Sequence, residues 1–249
     1  MTQGKSAAAD CWDAGRYKAC VYRSRTGPRD DRALVWFFHY AEGNERSLGS
    51  IGLARAFFAR LARVGAAAPA VVSVSFGDHW LLSEADGKRQ VVRLDDFQQS
   101  VMAEVEKRLG APERRYAWGM SMGGYNAAEI ALRRPALFSR VALSCPALYA
   151  EDPFTTRGKT AQEDDGRNLF RYRLNGSAQW SADDPSALAR AAKDSPPFLI
   201  QPNRADEYGF QDGGRALAAA LGSRARLSEA KGGHCVVNAA EAADFLGGR

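Results

Sequence analysis

Short apolar runs alternate with amphipathic stretches along nearly the whole chain, and this alternation most constrains the fold. The runs have the length and the β-branched or aromatic character of buried strands, and the segments between them carry apolar residues at helical spacing. The predicted strands are 34–38, 71–75, 116–118, 141–144, 198–201 and 224–229, and the predicted helices are 51–64, 95–109, 123–134, 213–221 and 236–246. The pattern predicts an α/β fold with a mainly parallel central sheet and helices on both faces.

No linker is long enough to divide the chain, so we expect a single domain over 16–249 behind an N-terminal extension over 1–15. Residues 150–185 break the alternation, because they are polar and have no clear period. A segment of this length inside a domain is usually functional or disordered, and we expect a cap-like excursion over the site. Its aromatic residues Phe170, Tyr172 and Trp180 are expected to contact substrate.

Composition and charge exclude several classes of protein. Apolar residues make up 45% of the chain and charged residues 25%, which is unlike a disordered chain, a collagen-like fibre or a coiled coil. No apolar run approaches the ~18 residues of a membrane-spanning helix. The net charge is +5, but the arginines are scattered and no nucleic-acid-binding motif accompanies them, so we expect no nucleic-acid partner.

The residues Gly119-Met120-Ser121-Met122-Gly123-Gly124 match the pattern G-x-S-x-G. They lie between a predicted strand and a predicted helix, which is the context that the motif requires. Glycines on both sides of the serine permit a sharp strand-to-helix turn that exposes its hydroxyl. The motif predicts a nucleophilic serine, Ser121.

A serine hydroxyl needs an adjacent base that is held by a third group. His234 is the one histidine of three that follows Ser121, as the chain order Ser…Asp/Glu…His of this fold class demands. Asp206 and Glu207 both follow the strand 198–201, and only one of them can meet the imidazole. We expect Asp206, because its shorter side chain loses less rotamer freedom when it is held in place.

An oxyanion hole needs backbone N–H groups aimed at the developing negative charge. The amide of Met122 is the first expected donor, and Tyr40 or Ala41, in the loop after the strand 34–38, is the second. His39 is expected to brace that loop. His79 and Trp80 follow another strand at its carboxyl end, where ligands bind in open α/β sheets, so we place them, together with Glu207, as candidate substrate-binding residues. A core position is the alternative for Trp80.

The four cysteines lack any zinc-binding spacing. Cys11 and Cys20 flank a short polar segment and are either paired or free. Cys145 and Cys235 each follow a strand and are expected near the site, with their pairing left open. Residues 1–10 are small and polar, which would suit a chain whose signal peptide was removed, so a periplasmic or secreted location is favoured over a cytoplasmic one.

The chain resembles the α/β-hydrolase superfamily, and within it the Putative esterase group that includes feruloyl esterases, esterase D-like thioesterases and mycolyltransferases. The resemblance spans about residues 16–246 and rests on 37–39, 119–127, 138–146, 205–207 and 233–234. It implies Ser121 as nucleophile, Asp206 as acid, His234 as base and the Met122 amide as oxyanion donor. The family usually has glycine directly after the first-loop histidine, whereas this chain has Tyr40.

The expected function is hydrolysis of a small-molecule or saccharide ester through an acyl-enzyme, with no metal or cofactor. An acyltransferase, a serine peptidase and a non-catalytic binding module remain as alternatives. The sequence leaves the acyl group, the alcohol and the oligomeric state open.

Overall fold

An eight-stranded mixed sheet forms the centre of the protein. The computed structural model describes residues 9–15, 17–75, 81–83 and 91–247. The strands of this sheet are β1 (Ala9–Ala14), β2 (Tyr17–Tyr22), β3 (Arg29–Phe38), β4 (Ala68–Ser75), β7 (Arg114–Met120), β8 (Arg140–Ser144), β9 (Phe198–Gln201) and β10 (Ala225–Leu227), and a separate parallel pair comprises β5 (Leu81–Ser83) and β6 (Val91–Arg93). The order is β1-β2-β4-β3-β7-β8-β9-β10, and every pair from β4 to β10 is parallel. The predicted α/β fold is therefore confirmed.

Helices cover both faces of this sheet. They are α1 (Ser47–Ser50), α2 (Leu53–Arg63), α3 (Leu94–Asp96), α4 (Ala103–Leu109), α5 (Met122–Arg133), α6 (Ala161–Arg173), α7 (Ser177–Asp183), α8 (Pro185–Ala191), α9 (Phe210–Leu221) and α10 (Ala239–Leu246), with a π-helical turn at Phe97–Met102 and a 3-10 turn at Gly222–Arg224. None of the helices within the described ranges is long and apolar enough to cross a membrane.

Alternation along β3 explains how one strand supplies two cores. Leu34, Trp36 and Phe38 are buried in the cluster that includes α5 and α9, whereas Val35 and Phe37 are buried in the cluster beneath α2 and α10. Successive side chains of a strand point to opposite faces, so a strand buried on both faces is apolar throughout.

The N-terminal residues 9–14 belong to the sheet. They form β1, which pairs antiparallel with β2 so that Cys11 lies directly opposite Cys20. The two sulfurs are bonded at 2.02 Å, which selects the paired alternative for these cysteines.

Residues 150–185 contain α6 and α7, although their sequence shows no clear helical period. The buried residues of α6 are Gly166, Arg167 and Phe170, and a helix with a narrow buried stripe has little apolar periodicity. The sequence does mark the start of α6, because Thr160 and Glu163 have the spacing of a capping box. In the structure the hydroxyl of Thr160 accepts a hydrogen bond from the amide of Glu163. Phe170 and Trp180 are buried in the core and Tyr172 is exposed, and their expected contact with substrate stays a prediction.

A buried charged cluster ties α5 to α7. Arg133 donates to Glu129 at 3.1 Å and to Asp183 at 2.7 Å, and both carboxyl groups are almost fully buried. Burial, and next the neighbouring Asp183, raise the pKa of Glu129 well above its usual value. Arg133 supplies the positive charge that these two carboxyl groups require.

We expect Arg133→Met to lower the free energy of unfolding by about 3–5 kcal/mol, because it leaves buried carboxyl groups without their cation. Arg134→Met is the matched control. Arg134 bonds to Asp95 at the surface, and such pairs contribute about 1 kcal/mol or less. Urea unfolding followed by circular dichroism checks this, and equal losses in the two variants would contradict the role of Arg133.

Peptide mapping without reduction tests both cross-links of the structure, Cys11–Cys20 and Cys145–Cys235. Trypsin places the four cysteines on four different peptides, because Arg16, Lys18, Arg140 and Lys231 provide cleavage sites between or before them. We expect two linked peptide pairs that separate on reduction. Alkylation of all four cysteines without prior reduction would contradict the structure.

Candidate active site

Ser121 lies in a strained turn between β7 and α5. Its backbone has φ 53° and ψ −118°, a conformation that residues with a side chain rarely adopt. The turn is held by the Ser121 amide, which donates to the Ser144 carbonyl at 3.0 Å. A Cβ on Gly119 would overlap the carbonyl of Gly123, so the turn needs glycine there. This geometry presents the hydroxyl of Ser121 at the carboxyl end of the sheet.

A chain of hydrogen bonds joins Ser121, His234 and Asp206. Ser121 Oγ is 2.8 Å from His234 Nε2, and His234 Nδ1 is 2.7 Å from Asp206 Oδ2. The carboxylate accepts, so Nδ1 carries the proton and Nε2 can take the proton of the hydroxyl. The structure thus brings together the three residues that the sequence predicted for this chemistry.

The second carboxyl group, Glu207, contacts the backbone of the histidine loop and not its ring. Glu207 Oε2 accepts the amide of His234 at 2.8 Å, and this bond lowers the pKa of Glu207. Adjacent carboxylates thereby bind the same residue at two points. Glu207 is absent from the described lining of the pocket at Ser121, so its expected contact with substrate stays a prediction.

Asn203 is a residue that sequence reasoning missed. Its fully buried side chain accepts the amide of Cys235 at 3.1 Å and donates to the carbonyl of Val236 at 3.0 Å. It therefore fixes the backbone that follows His234. Its one sequence signal is its place two residues after β9, between Pro202 and the predicted acid.

Close packing of α5 against the loop after β3 gathers the expected oxyanion donors. A Cβ on Gly123 would overlap the carbonyl of Phe38, so only glycine lets the start of the helix approach that loop. Tyr40 and Met122 both line the pocket that contains Ser121. The Met122 amide lies in the first turn of α5, where N–H groups lack an acceptor within the helix.

His39 braces the loop that carries Tyr40. Its Nδ1 is 2.8 Å from the Tyr40 carbonyl and therefore carries the proton. Burial lowers the pKa of His39, which favours the neutral ring.

The pocket at Ser121 has a volume of about 670 Å³ and is mostly apolar. Ile51, Leu53, Met120 and Val237 contribute to its lining, as do Ala147 and Phe210. Leu169 of α6 also lines it, and no pattern in the sequence singles this residue out. The predicted substrate-binding residues His79 and Trp80 lie outside the described residues.

Cys145 and Cys235 lie beside the site, as expected, and they are bonded to each other at 2.10 Å. Together with His234 they form the one group of three potential metal ligands found in the described part of the chain. Both sulfurs are occupied by their mutual bond, so the cluster does not offer thiolate ligands to a metal in this state.

The sequence of the chain matches a known protein family. The profile of the Putative esterase family matches residues 51–223, more than half of the chain. The chain belongs to this family. No curated protein sequence matches the chain.

Solved esterases share the fold of this family member at low sequence identity. The S-formylglutathione hydrolase of Agrobacterium tumefaciens has a TM-score of 0.63 and 16% identity, over 97% of this chain and 91% of its own. The thermostable carboxylesterase EstE1 from a metagenomic library has a TM-score of 0.65 and 20% identity, over 99% and 89%. A ferulic acid esterase has a TM-score of 0.64 and 12% identity, over 97% and 93%.

Proposed function

We propose that the protein is a serine esterase that hydrolyses a carboxylic ester through an acyl-enzyme. The observation that carries the proposal is the hydrogen-bonded chain from Ser121 through His234 to Asp206 at the base of an open apolar pocket. Membership of an esterase family supports ester hydrolysis as its chemistry.

Acylation begins when Ser121 Oγ attacks the ester carbonyl and its proton passes to His234 Nε2. Asp206 is 6% exposed, and its carboxylate holds the ring by Nδ1 and stabilises the imidazolium that forms. The C–O bond to the alcohol then breaks, and His234 returns the proton to the leaving oxygen. In the second half, a water molecule attacks the acyl-enzyme, His234 takes its proton, and the acid is released as Oγ is protonated again.

The amides of Met122 and Tyr40 are the proposed donors to the oxyanion. Met122 stands at the positive end of the α5 dipole, which favours negative charge at that point. His39 braces the carbonyl of Tyr40, which restrains the loop that carries the Tyr40 amide before the substrate binds. Fixed donors stabilise the tetrahedral intermediate without a reorganisation cost.

The pocket favours an ester with an apolar group of moderate size. Ile51 and Leu169 line the pocket and yet are 41% and 36% exposed, which leaves apolar surface at its mouth for a substrate to cover. We therefore expect kcat/KM on p-nitrophenyl esters to rise from acetyl to medium-length acyl groups.

The two disulfides support a location outside the cytoplasm. Such cross-links persist in oxidising compartments and are rare where thiols are kept reduced. We infer a periplasmic or secreted protein.

We expect Ser121→Ala to lower ester hydrolysis by about 10⁴-fold or more and to abolish labelling by a fluorophosphonate probe. The exposed Ser181→Ala in α7 is the control and should retain both activities. Hydrolysis of a p-nitrophenyl ester and intact-protein mass spectrometry provide the two readouts. If Ser121→Ala retained activity within about tenfold of the parent, the proposal would be wrong.

A second pair of variants separates the roles of the adjacent carboxylates. Asp206→Asn removes the charge that faces the imidazolium and should lower kcat several hundred-fold or more, by the order of magnitude known for triad acids. Glu207→Gln keeps an oxygen acceptor for the His234 amide and should lower kcat far less. The reverse ranking, measured on one ester at one pH, would assign the acid to Glu207.

A further inference from the structure

The Cys145–Cys235 disulfide joins the segment behind the nucleophile to the loop that carries the histidine. Cys145 is the first residue after β8, and Cys235 directly follows His234. The bond connects positions that are 90 residues apart in the chain, with the two Cα atoms 5.0 Å apart.

On the nucleophile side, Cys145 lies between two hydrogen bonds to the backbone of Ser121. The Ser144 carbonyl accepts the Ser121 amide at 3.0 Å, and the Ala147 amide donates to the Ser121 carbonyl at 2.9 Å. Cys145 is 1% exposed, so its segment is firmly packed. A displacement of Cys145 would therefore carry the backbone of Ser121 with it.

On the histidine side, the described hydrogen bonds to residues 234–236 come mainly from the loop after β9. Asp206 binds the ring, Glu207 binds the His234 amide, and Asn203 binds the Cys235 amide. These bonds fix the base relative to the acid. The pairing of β8 with β9 also connects the two sides, and the disulfide is a direct covalent link between the histidine loop and the segment behind the nucleophile.

The backbone at both cysteines is also held in an unfavourable conformation. Cys145 has φ 44° and Cys235 has φ 66°, in the left-handed region that residues with a Cβ avoid. Such conformations persist where the surrounding structure constrains them. The cross-link is one of the constraints on these angles, because it joins the two segments covalently.

We propose that this disulfide is a positioning element that sets the distance between Ser121 and His234, and that its reduction lowers activity. The inference rests on the proposed function of these two residues. Cys235 Sγ is 3.5 Å from His234 Nε2, so as a thiol it would also compete with Ser121 for the same nitrogen.

The reduction itself is a thiol–disulfide exchange with a dithiol such as dithiothreitol. One thiolate of the reagent attacks Cys235 Sγ, which borders the open pocket, and releases the Cys145 thiolate. The second thiolate of the reagent then displaces Cys235 and closes a cyclic disulfide. Two electrons pass to the protein, and two protons from the reagent and solvent end on the cysteine sulfurs.

The chain supplies a matched control in its second disulfide. Cys11–Cys20 joins β1 to β2 at the edge of the sheet, and neither cysteine lines the pocket. The experiment compares the double variants C145A/C235A and C11A/C20A with the parent in hydrolysis of p-nitrophenyl acetate and in the rate of fluorophosphonate labelling. Thermal melts confirm that each variant is folded at the assay temperature.

We expect C145A/C235A to lose roughly 10- to 100-fold in kcat and in labelling rate, because small displacements of a reacting group have effects of this size. KM should change by less than about threefold, since the other residues that line the pocket remain. C11A/C20A should stay within about threefold of the parent. A merely structural role would instead lower the melting temperature and leave kcat of the folded protein unchanged.

Reduction of C11A/C20A provides a second route that does not depend on the folding of C145A/C235A, because only Cys145–Cys235 remains there to react. Dithiothreitol should lower its kcat by the same factor, and reoxidation should restore it. The inference would be overturned if kcat stayed unchanged once a thiol titration had shown two free thiols. Equal losses of kcat in the two double variants would also overturn it. A parent protein that hydrolyses no ester would overturn the proposed function as well.

Discussion

The candidate site depends on the close approach of the start of α5 to the end of β3. Gly123 permits this contact, because any side chain there would overlap the carbonyl of Phe38. The same contact determines which loops border Ser121, and it places the Met122 amide and the Tyr40 loop at one pocket. The strain at Ser121 is tolerated because the surrounding backbone hydrogen bonds and the packed helix constrain the turn.

Around that turn, the site is held by interactions of different kinds. Hydrogen bonds from Asp206, Glu207 and Asn203 order the histidine loop, and the Cys145–Cys235 bond ties that loop to β8. Behind α5, the buried pair of Arg133 with Glu129 and Asp183 connects the helix to the segment after residue 150. The base and the nucleophile helix are thus fixed by separate contacts.

Local patterns in the sequence predict much of the fold and of the candidate site. The apolar runs predicted six strands of the parallel part of the sheet, and chain order with only three histidines singled out His234. Polar helices such as α6 have little apolar periodicity, so the apolar pattern did not predict them. The capping-box spacing at Thr160 is the sequence signal that marks the start of α6. Asn203 and the partner of Cys145 could not be predicted, because contacts between residues 32 or 90 positions apart depend on the folded backbone.

The most direct test of this account is the crystal structure of the protein after reaction with a fluorophosphonate, whose phosphoryl oxygen stands in for the oxyanion. We expect phosphorus bonded to Ser121 Oγ, with that oxygen about 2.7–3.1 Å from the amide nitrogens of both Met122 and Tyr40. His234 should remain bound to Asp206 through Nδ1. A phosphoryl oxygen that pointed away from both amides, or phosphorus attached to any other residue, would contradict the account.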